Sequence, residues 1–213
     1  MLPKKIFVTG IGTNVGKSYA TGWLAQQLMS KGINVITQKF IQTGNVGQSE
    51  DIEIHRKIMN LPLLQCDLNH LTAPLILSYP ASPHLAAKID NVELDFSEVT
   101  KAADKLLEEF DCVLIEGAGG IMVPLKDQYL TLDYVIEEKL HTIVVTNGQL
   151  GSINHTLLTL ETLKNNGVEL FAVLYNPYFD EDEVICADTV EYLKKWVADK
   201  SPMTKFMIIP KGF

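Results

Sequence analysis

The sequence predicts an α/β fold, in which a mostly parallel sheet is covered by helices on both faces. Short apolar, β-branched runs alternate along the chain with longer segments of helical periodicity. The runs are apolar throughout, which is typical of parallel strands buried on both faces. The chain has 213 residues, of which 46% are hydrophobic and 21% are charged, so it can bury a sizeable core. We therefore expect a single domain over residues 1–213.

The predicted strands and helices alternate in the order typical of βαβ units. The predicted strands cover residues 4–9, 33–38, 112–116, 142–146, 170–175 and 205–209. The predicted helices cover residues 17 to about 31, 48–60, 96–110, 131–139, 153–165 and 181–198. The helix at 96–110 is the clearest, because its apolar residues recur at spacings of three and four. Ligands are expected at the carboxyl ends of the strands.

Charge and composition exclude several classes of protein. The chain carries 18 basic and 26 acidic residues and has no basic cluster, so we expect no nucleic-acid partner. Its apolar runs are shorter than a secretion signal or a membrane span requires. With three widely spaced cysteines, the sequence indicates a reduced, cytoplasmic protein. We expect structural roles for the cysteines and for the five histidines, which form no close pair.

A glycine-rich segment, G-I-G-T-N-V-G-K-S, follows the first predicted strand and precedes the first predicted helix. It misses the pattern G-x-x-x-x-G-K-[ST] at one position, because Ile11 stands where the first glycine belongs. Its glycines still allow several N–H groups to converge at a helix N-terminus, as in P-loop NTPases. The predicted phosphate contacts come from Gly12, Thr13, Asn14, Val15, Gly16, Lys17 and Ser18.

Within this segment, Lys17 is expected to reach the β- and γ-phosphates, and the Ser18 hydroxyl is expected to bind Mg²⁺. The alternative is an ordinary glycine-rich turn from strand to helix.

An acidic residue, Glu116, ends the strand predicted at 112–116 and is followed by Gly117, Ala118 and Gly119. A carboxylate at the carboxyl end of a buried parallel strand points towards a phosphate site and can bind Mg²⁺ directly or through water. The glycines after it allow close approach of the backbone to a nucleotide. The alternative is a solvated strand end followed by a flexible turn.

Four motifs together resemble the dethiobiotin synthetase family: T-G-I-G-T-N-V-G-K-S, K-F-I-Q-T-G, E-G-A-G-G and G-S-I-N-H. The resemblance extends from residue 7 to residue 210. It implies a homodimeric enzyme of biotin biosynthesis that uses ATP, Mg²⁺, CO₂ and 7,8-diaminononanoate. In this chemistry a carbamate is phosphorylated to a carbamic–phosphoric anhydride, which the second amine closes to a ring. Such phosphoryl transfer depends on positioning and charge neutralisation.

The resemblance also assigns roles around the phosphates. Lys39 matches a catalytic lysine that stabilises negative charge on the carbamate and on the transferring phosphoryl group, and Lys17 is the second expected catalytic residue. Thr43 keeps a hydroxyl for the substrate amines or carbamate. Asp51 matches a metal-binding aspartate, which would place Mg²⁺ among Ser18, Asp51 and Glu116. The alternatives are a surface lysine for Lys39, a turn residue for Thr43 and, for Asp51, an acid that stabilises a helix N-terminus.

Further substrate contacts are implied on two segments. Gly151, Ser152, Ile153 and Asn154 match a loop before a helix that receives the substrate carboxylate from the neighbouring subunit's site. Simple helix capping is the alternative. Ser82 and Pro83 lie in a P-A-S-P-H segment that matches a family segment near the substrate, and a rigid loop is the alternative.

The resemblance assigns Asn176 and Pro177 to the nucleotide base, with a strand-terminating turn as the alternative. Only Lys211, Gly212 and Phe213 follow Pro210, so we expect weak discrimination between ATP and other purine triphosphates. Asn14 stands where the family often has glutamate.

A rival interpretation is a nucleotide-dependent switch or partitioning ATPase that acts through protein partners. Such proteins carry an extra lysine early in the phosphate loop, at the position occupied here by Gly12. A third is a catalytically inactive nucleotide-binding subunit, which is disfavoured by the presence of Lys17, Lys39, Asp51 and Glu116.

Overall fold

The computed structural model describes residues 2–211 and contains a central parallel sheet flanked by helices. The strands are β1 (Lys5–Gly10), β2 (Val35–Lys39), β3 (Gln42–Thr43), β4 (Ile76–Leu77), β5 (Cys112–Gly120), β6 (Pro124–Lys126), β7 (Tyr129–Leu130), β8 (His141–Asn147), β9 (Leu170–Asn176) and β10 (Lys205–Ile208). The helices are α1 (Lys17–Met29), α2 (Glu50–Ile58), α3 (Gln65–Leu68), α4 (Pro83–Asp90), α5 (Ser97–Leu106), α6 (Thr131–Glu137), α7 (Ser152–Asn165) and α8 (Glu183–Lys200). A short 3₁₀ helix, Pro177–Phe179, follows β9.

Six strands form the central sheet in the order β10-β9-β8-β1-β5-β2, and every neighbouring pair is parallel. The predicted α/β class and its P-loop NTPase-like sheet are confirmed. Strand β1 lies between β5 and β8, so the loop after β1 emerges at the middle of the carboxyl edge. Ligands bind at this edge in open α/β sheets.

The core has two layers, because alternate side chains of each strand point to opposite faces of the sheet. On one face, Ile6 and Val8 pack in a cluster with Trp23 of α1. On the other face, Phe7 packs in a cluster with Val99 of α5. Burial on both faces explains why the strands read as continuous apolar runs.

Several predicted boundaries differ from the structure, most clearly at β5. We predicted a strand ending at Glu116, but it continues to Gly120 because pairing with β1 extends to Gly10 and Gly120. Most other strand boundaries differ by one or two residues. The helix predicted at 96–110 spans Ser97–Leu106, and turns cover the residues after Leu106.

Two predicted segments have a different local structure. Pro83 begins α4, so P-A-S-P-H is not simply a rigid loop; proline suits the first helical turn, where no N–H is needed. The segment placed before a helix at Gly151 contains the first turn of α7, which begins at Ser152. The short strand pairs β3–β4 and β6–β7 were not predicted, because strands of two or three residues are too short to show an alternation of apolar and polar residues. In the described part of the chain, no helix has the length and apolarity needed to cross a membrane.

Candidate active site

A cleft of about 580 Å³ opens at the carboxyl edge of the sheet. Its walls come from the loop after β1, the ends of β2 and β5, the start of α2 and the segment after β9. The lining residues are Thr13, Asn14, Gly16, Lys17, Ser18, Tyr19, Lys39, Ile41, Gln42, Thr43, Asp51, Glu116, Ala118, Gly119, Asn176, Tyr178 and Phe179. The structure thus brings most of the predicted phosphate and metal residues together.

The phosphate loop takes a conformation that only certain residues tolerate. Gly16 has a φ of +84°, and a Cβ there would lie 2.1 Å from the amide nitrogen of Asn176. Asn14 also has a positive φ, of 60°, which asparagine adopts more readily than most residues. α1 begins immediately afterwards, so the free N–H groups of its first turn lie at the cleft.

The side chain of Lys17 is folded back into the loop and is buried, with its Nζ donating to the carbonyl of Gly12 at 2.9 Å. Burial lowers the pKa of Lys17 to about 8, although the Glu116 carboxylate acts in the opposite direction. The charge of Lys17 is thus poorly compensated, which suits a group that is to meet phosphate oxygens.

Lys39 is buried at the end of β2, so it is not a surface lysine. Its Nζ lies 2.5 Å from Oδ2 of Asp51 and 2.7 Å from Oε1 of Glu116. Burial favours the neutral amine, but the Glu116 and Asp51 carboxylates outweigh it and raise the pKa of Lys39. The ammonium is therefore fixed in its charged form beside the phosphate loop.

Glu116 is a buried carboxylate whose two oxygens have different partners. Oε1 lies 2.7 Å from the Lys39 ammonium and 3.0 Å from the Ser18 hydroxyl. Oε2 lies 2.6 Å from Nε2 of His55. Burial raises the pKa of the Glu116 carboxyl, yet Lys39 and His55 together hold it well below its usual range. The carboxylate stays ionised despite its burial.

His55 is a site residue that the sequence analysis missed, since we expected only structural roles for the histidines. It follows Asp51 by four residues on α2 and so shares its helix face. The spacing of four residues was the available signal in the sequence. It does not distinguish a residue of the site from a side chain that is simply buried in the core.

The oxygen atoms of Ser18, Asp51 and Glu116 converge. Ser18 Oγ lies 2.8 Å from Asp51 Oδ1 and 3.0 Å from Glu116 Oε1. One hydroxyl proton cannot serve both acceptors, so the cluster has spare acceptor capacity suited to a cation. Among residues 2–211, no three His, Cys, Asp or Glu side chains form a metal-holding group. Two carboxylates and a hydroxyl nevertheless fit Mg²⁺, which keeps several waters and takes further oxygens from phosphates.

Asn176 lies in the wall of the cleft and is already bonded to the protein at both ends of its amide. Its Nδ2 donates to the carbonyl of Val15 at 3.1 Å, and its Oδ1 accepts from the N–H of Tyr178 at 3.1 Å. It therefore ties the segment after β9 to the phosphate loop. Tyr178 and Phe179 pack edge to face there, and Phe179 was not predicted.

Other predicted site residues do not line the cleft. Val15 is buried beneath the loop, Gly12 offers its carbonyl to Lys17, and Gly117 lies against the ring of Phe7, where a Cβ would approach to 2.8 Å. The remaining predicted residues outside the lining are Ser82, Pro83, Gly151, Ser152, Ile153, Asn154 and Pro177. Gly212 and Phe213 lie outside the described residues.

A phosphate loop between a central parallel strand and a helix, with carboxylates at a neighbouring strand end and helix start, defines a P-loop nucleotide-binding protein. The profile of a family described as an AAA domain matches residues 4–198. An ATP-dependent dethiobiotin synthetase of Pasteurella multocida is 44% identical over 208 residues, covering 98% of both chains. One from Haemophilus ducreyi is 45% identical, covering 98% of this chain and 99% of the relative. The chain belongs to the dethiobiotin synthetase family.

Solved structures support the fold. A ParA family ATPase from Chlorobium tepidum superposes with a TM-score of 0.55 at 15% identity, covering 99% of this chain and 86% of that one. The signal recognition particle receptor FtsY from Elizabethkingia anophelis gives a TM-score of 0.54 at 16% identity. That match covers all of this chain and 58% of FtsY. At these identities the likeness concerns the fold alone.

Proposed function

We propose that this protein is an ATP-dependent ligase of biotin biosynthesis that converts 7,8-diaminononanoate and CO₂ into dethiobiotin. The observation that carries the proposal is the Lys39 ammonium, held between Asp51 and Glu116 beside the phosphate loop. Full-length similarity to enzymes named dethiobiotin synthetase supports it. We also infer that residues 1–213 act as one domain, since the central strands form a single sheet.

The reaction requires three bond-forming steps. One amine attacks CO₂ and loses a proton, giving a carbamate. A carbamate oxygen then attacks the γ-phosphorus of ATP, ADP leaves, and a carbamic–phosphoric anhydride results. Finally the second amine attacks the carbonyl carbon, loses a proton and expels phosphate, which closes the ureido ring. Each step places negative charge on oxygens, so fixed cations serve it better than a protein nucleophile.

The residues of the cleft are suited to these roles. Lys17 and the N–H groups of the loop from Gly12 to Ser18 bind the β- and γ-phosphates. Lys39 stabilises charge on the carbamate and on the transferring phosphoryl group. Thr43 lines the cleft and offers a hydroxyl to the substrate amines or carbamate.

Mg²⁺ is the metal that the oxygen cluster favours. Ser18, Asp51 and Glu116 would hold it, and it would neutralise charge on the phosphates. Asn176, together with Tyr178 and Phe179, would flank the nucleotide base at the other end of the cleft.

We also infer a homodimer. Gly151, Ser152, Ile153 and Asn154 lie away from the cleft of their own chain, so a substrate role for them requires a second subunit. Nearby apolar side chains are exposed, with Leu150 at 90% and Leu158 at 60%. Contiguous exposed apolar patches mark association surfaces, and the dimer would bury these two side chains.

Phosphate release, measured with and without diaminononanoate and bicarbonate, tests the function. A dethiobiotin synthetase releases phosphate only when both are present, and the product has the mass of the ring-closed compound. Phosphate release that depends on neither would instead indicate a nucleotide-dependent switch.

A further inference from the structure

The two carboxylate oxygens of Glu116 have different partners on opposite sides. Oε1 faces the cleft, at 3.0 Å from Ser18 Oγ and 2.7 Å from Lys39 Nζ. Oε2 faces away from it, at 2.6 Å from Nε2 of His55. The imidazole therefore contacts the carboxylate on the side away from the cleft, and Oε1 is the oxygen that faces the cleft.

The imidazole of His55 is fully buried and is anchored on one side only. Its Nδ1 has no hydrogen-bond partner among the residues that the structure describes. A buried polar atom without a partner costs free energy, and an apolar side chain of similar size would avoid that cost. The histidine is therefore best explained by what its Nε2 does for Glu116.

Helix α2 connects this contact to the oxygen atoms of Ser18, Asp51 and Glu116 that would bind the cation. It carries Asp51 at its first turn and His55 one turn later, on the same face. α1, which carries Ser18, packs closely against it at Gly22, where a Cβ would lie 3.3 Å from Cα of His55. The packing of the two helices thus determines where the His55 imidazole lies relative to the carboxylates of Asp51 and Glu116.

We propose that His55 is a positioning residue for the magnesium cluster. Its imidazole donates the Nε2 proton to Oε2 of Glu116, and the bond orients Oε1 towards Ser18 Oγ and the cation. Partners of this kind behind a metal-binding carboxylate commonly change metal affinity by about 10- to 100-fold. The inference rests on the magnesium site of the proposed function.

The test is calorimetric binding of ADP to the whole protein, with and without MgCl₂. We expect His55→Leu to weaken Mg²⁺ binding to the ADP complex by about 10- to 100-fold. ADP binding without metal stays within about twofold of the unsubstituted protein, because the phosphate loop is untouched. His55→Gln restores most of the Mg²⁺ affinity, since its amide nitrogen reaches about as far as Nε2 and can donate. His55→Asn is too short to do so and resembles His55→Leu.

The control is Ile52→Ala, which removes a buried side chain from the same helix at a residue that makes no bond to Glu116. It should lower thermal stability and leave Mg²⁺ affinity unchanged. Equal losses of Mg²⁺ affinity in Ile52→Ala and His55→Leu would overturn the positioning role, as would unchanged affinity in His55→Leu. If His55→Leu does not fold, equal Mg²⁺ affinities of the Gln and Asn variants overturn it.

Measurements on the unsubstituted protein distinguish the role of His55 from the proposed magnesium site and ligase activity. If Mg²⁺ does not affect its ADP complex, the magnesium site itself is wrong, and the role of His55 is overturned with it. If Mg²⁺ binds normally in both the unsubstituted protein and His55→Leu, only the role of His55 is wrong. Phosphate release dependent on diaminononanoate tests the ligase activity independently of either.

Discussion

The Nζ atom of Lys39 lies 2.7 Å from Oε1 of Glu116, and both side chains are buried. The two residues are paired in register on the neighbouring parallel strands β2 and β5, so their side chains leave the sheet at the same level and on the same face. The buried ion pair thus follows from strand register. It places a fixed positive charge and a buried carboxylate together in one cleft.

Replacing Lys39 by glutamine should lower turnover by about a hundredfold or more, the range for loss of one preorganised charge stabiliser. The measurement is steady-state phosphate release with diaminononanoate, bicarbonate and MgATP, alongside circular dichroism to check the fold. Lys57→Gln is the matched control, because Lys57 is exposed on α2 and should keep full turnover. Near-normal turnover in Lys39→Gln would contradict the catalytic role.

Asp51→Asn and Glu116→Gln should each raise the Mg²⁺ concentration needed for half-maximal turnover, since the cation's oxygen ligands lose charge. Titration of MgCl₂ at saturating ATP measures this. Glu50→Gln removes an exposed acid from the same helical turn as Asp51 and should change little. Unchanged Mg²⁺ dependence in both site variants would exclude them from the metal cluster.

Thr43→Val should raise the KM for diaminononanoate by about tenfold, which corresponds to loss of one hydrogen bond worth about 1.4 kcal/mol. ADP affinity should be unchanged, because Thr43 is not part of the phosphate loop. Steady-state kinetics at saturating ATP, together with ADP titration, separates the two effects. A KM equal to that of the unsubstituted protein would remove Thr43 from the substrate site.

Leu158→Glu should shift the protein from dimer to monomer and reduce turnover, because it places a charge on the exposed apolar surface of α7. Sedimentation equilibrium and phosphate release measure the two effects. Leu68→Glu changes a side chain that is 50% exposed on α3 and should leave the dimer intact. A fully active monomer of the unsubstituted protein would contradict the shared site.

Asp67→Asn should destabilise the protein by about 3–5 kcal/mol, the usual cost of removing one partner of a buried ion pair. Asp67 binds Arg56 through both oxygens, at 2.7 and 2.9 Å, and also accepts a bond from Thr72. Urea denaturation at pH 7 measures the free energy of unfolding. A loss below about 1 kcal/mol would show that Arg56 finds another partner.

The stability difference between the unsubstituted protein and Asp67→Asn should depend on pH. Burial raises the pKa of Asp67, but its bonds with Arg56 and Thr72 outweigh this and lower it below its usual 3.8. The folded protein therefore favours the ionised carboxyl, whose contribution is complete above about pH 5 and is lost as pH falls through the folded pKa. Denaturation curves between pH 7 and pH 3 should show a difference that is constant above about pH 5 and shrinks as the pH falls below it.

Local patterns of residues were enough to predict the class of sheet, the phosphate loop and the polar residues at the strand ends. Apolar runs alternating with helical segments are local patterns, and the carboxyl ends of parallel strands meet at one edge. Lys17, Lys39 and Glu116 therefore fall into one cleft as predicted. The extension of β5 to Gly120 was not predicted, because it depends on pairing with Gly10 of another strand.

The contact between His55 and Glu116 and the position of Phe179 in the cleft wall depend on tertiary contacts. His55 lies 61 positions before Glu116, and the two meet because α2 packs against α1 at Gly22 and against β2, the neighbour of β5 in the sheet. Phe179 reaches the cleft because the amide of Asn176 ties the chain after β9 to the phosphate loop. Contacts between residues far apart in the chain depend on how helices pack on the sheet, and no local pattern of residues encodes them.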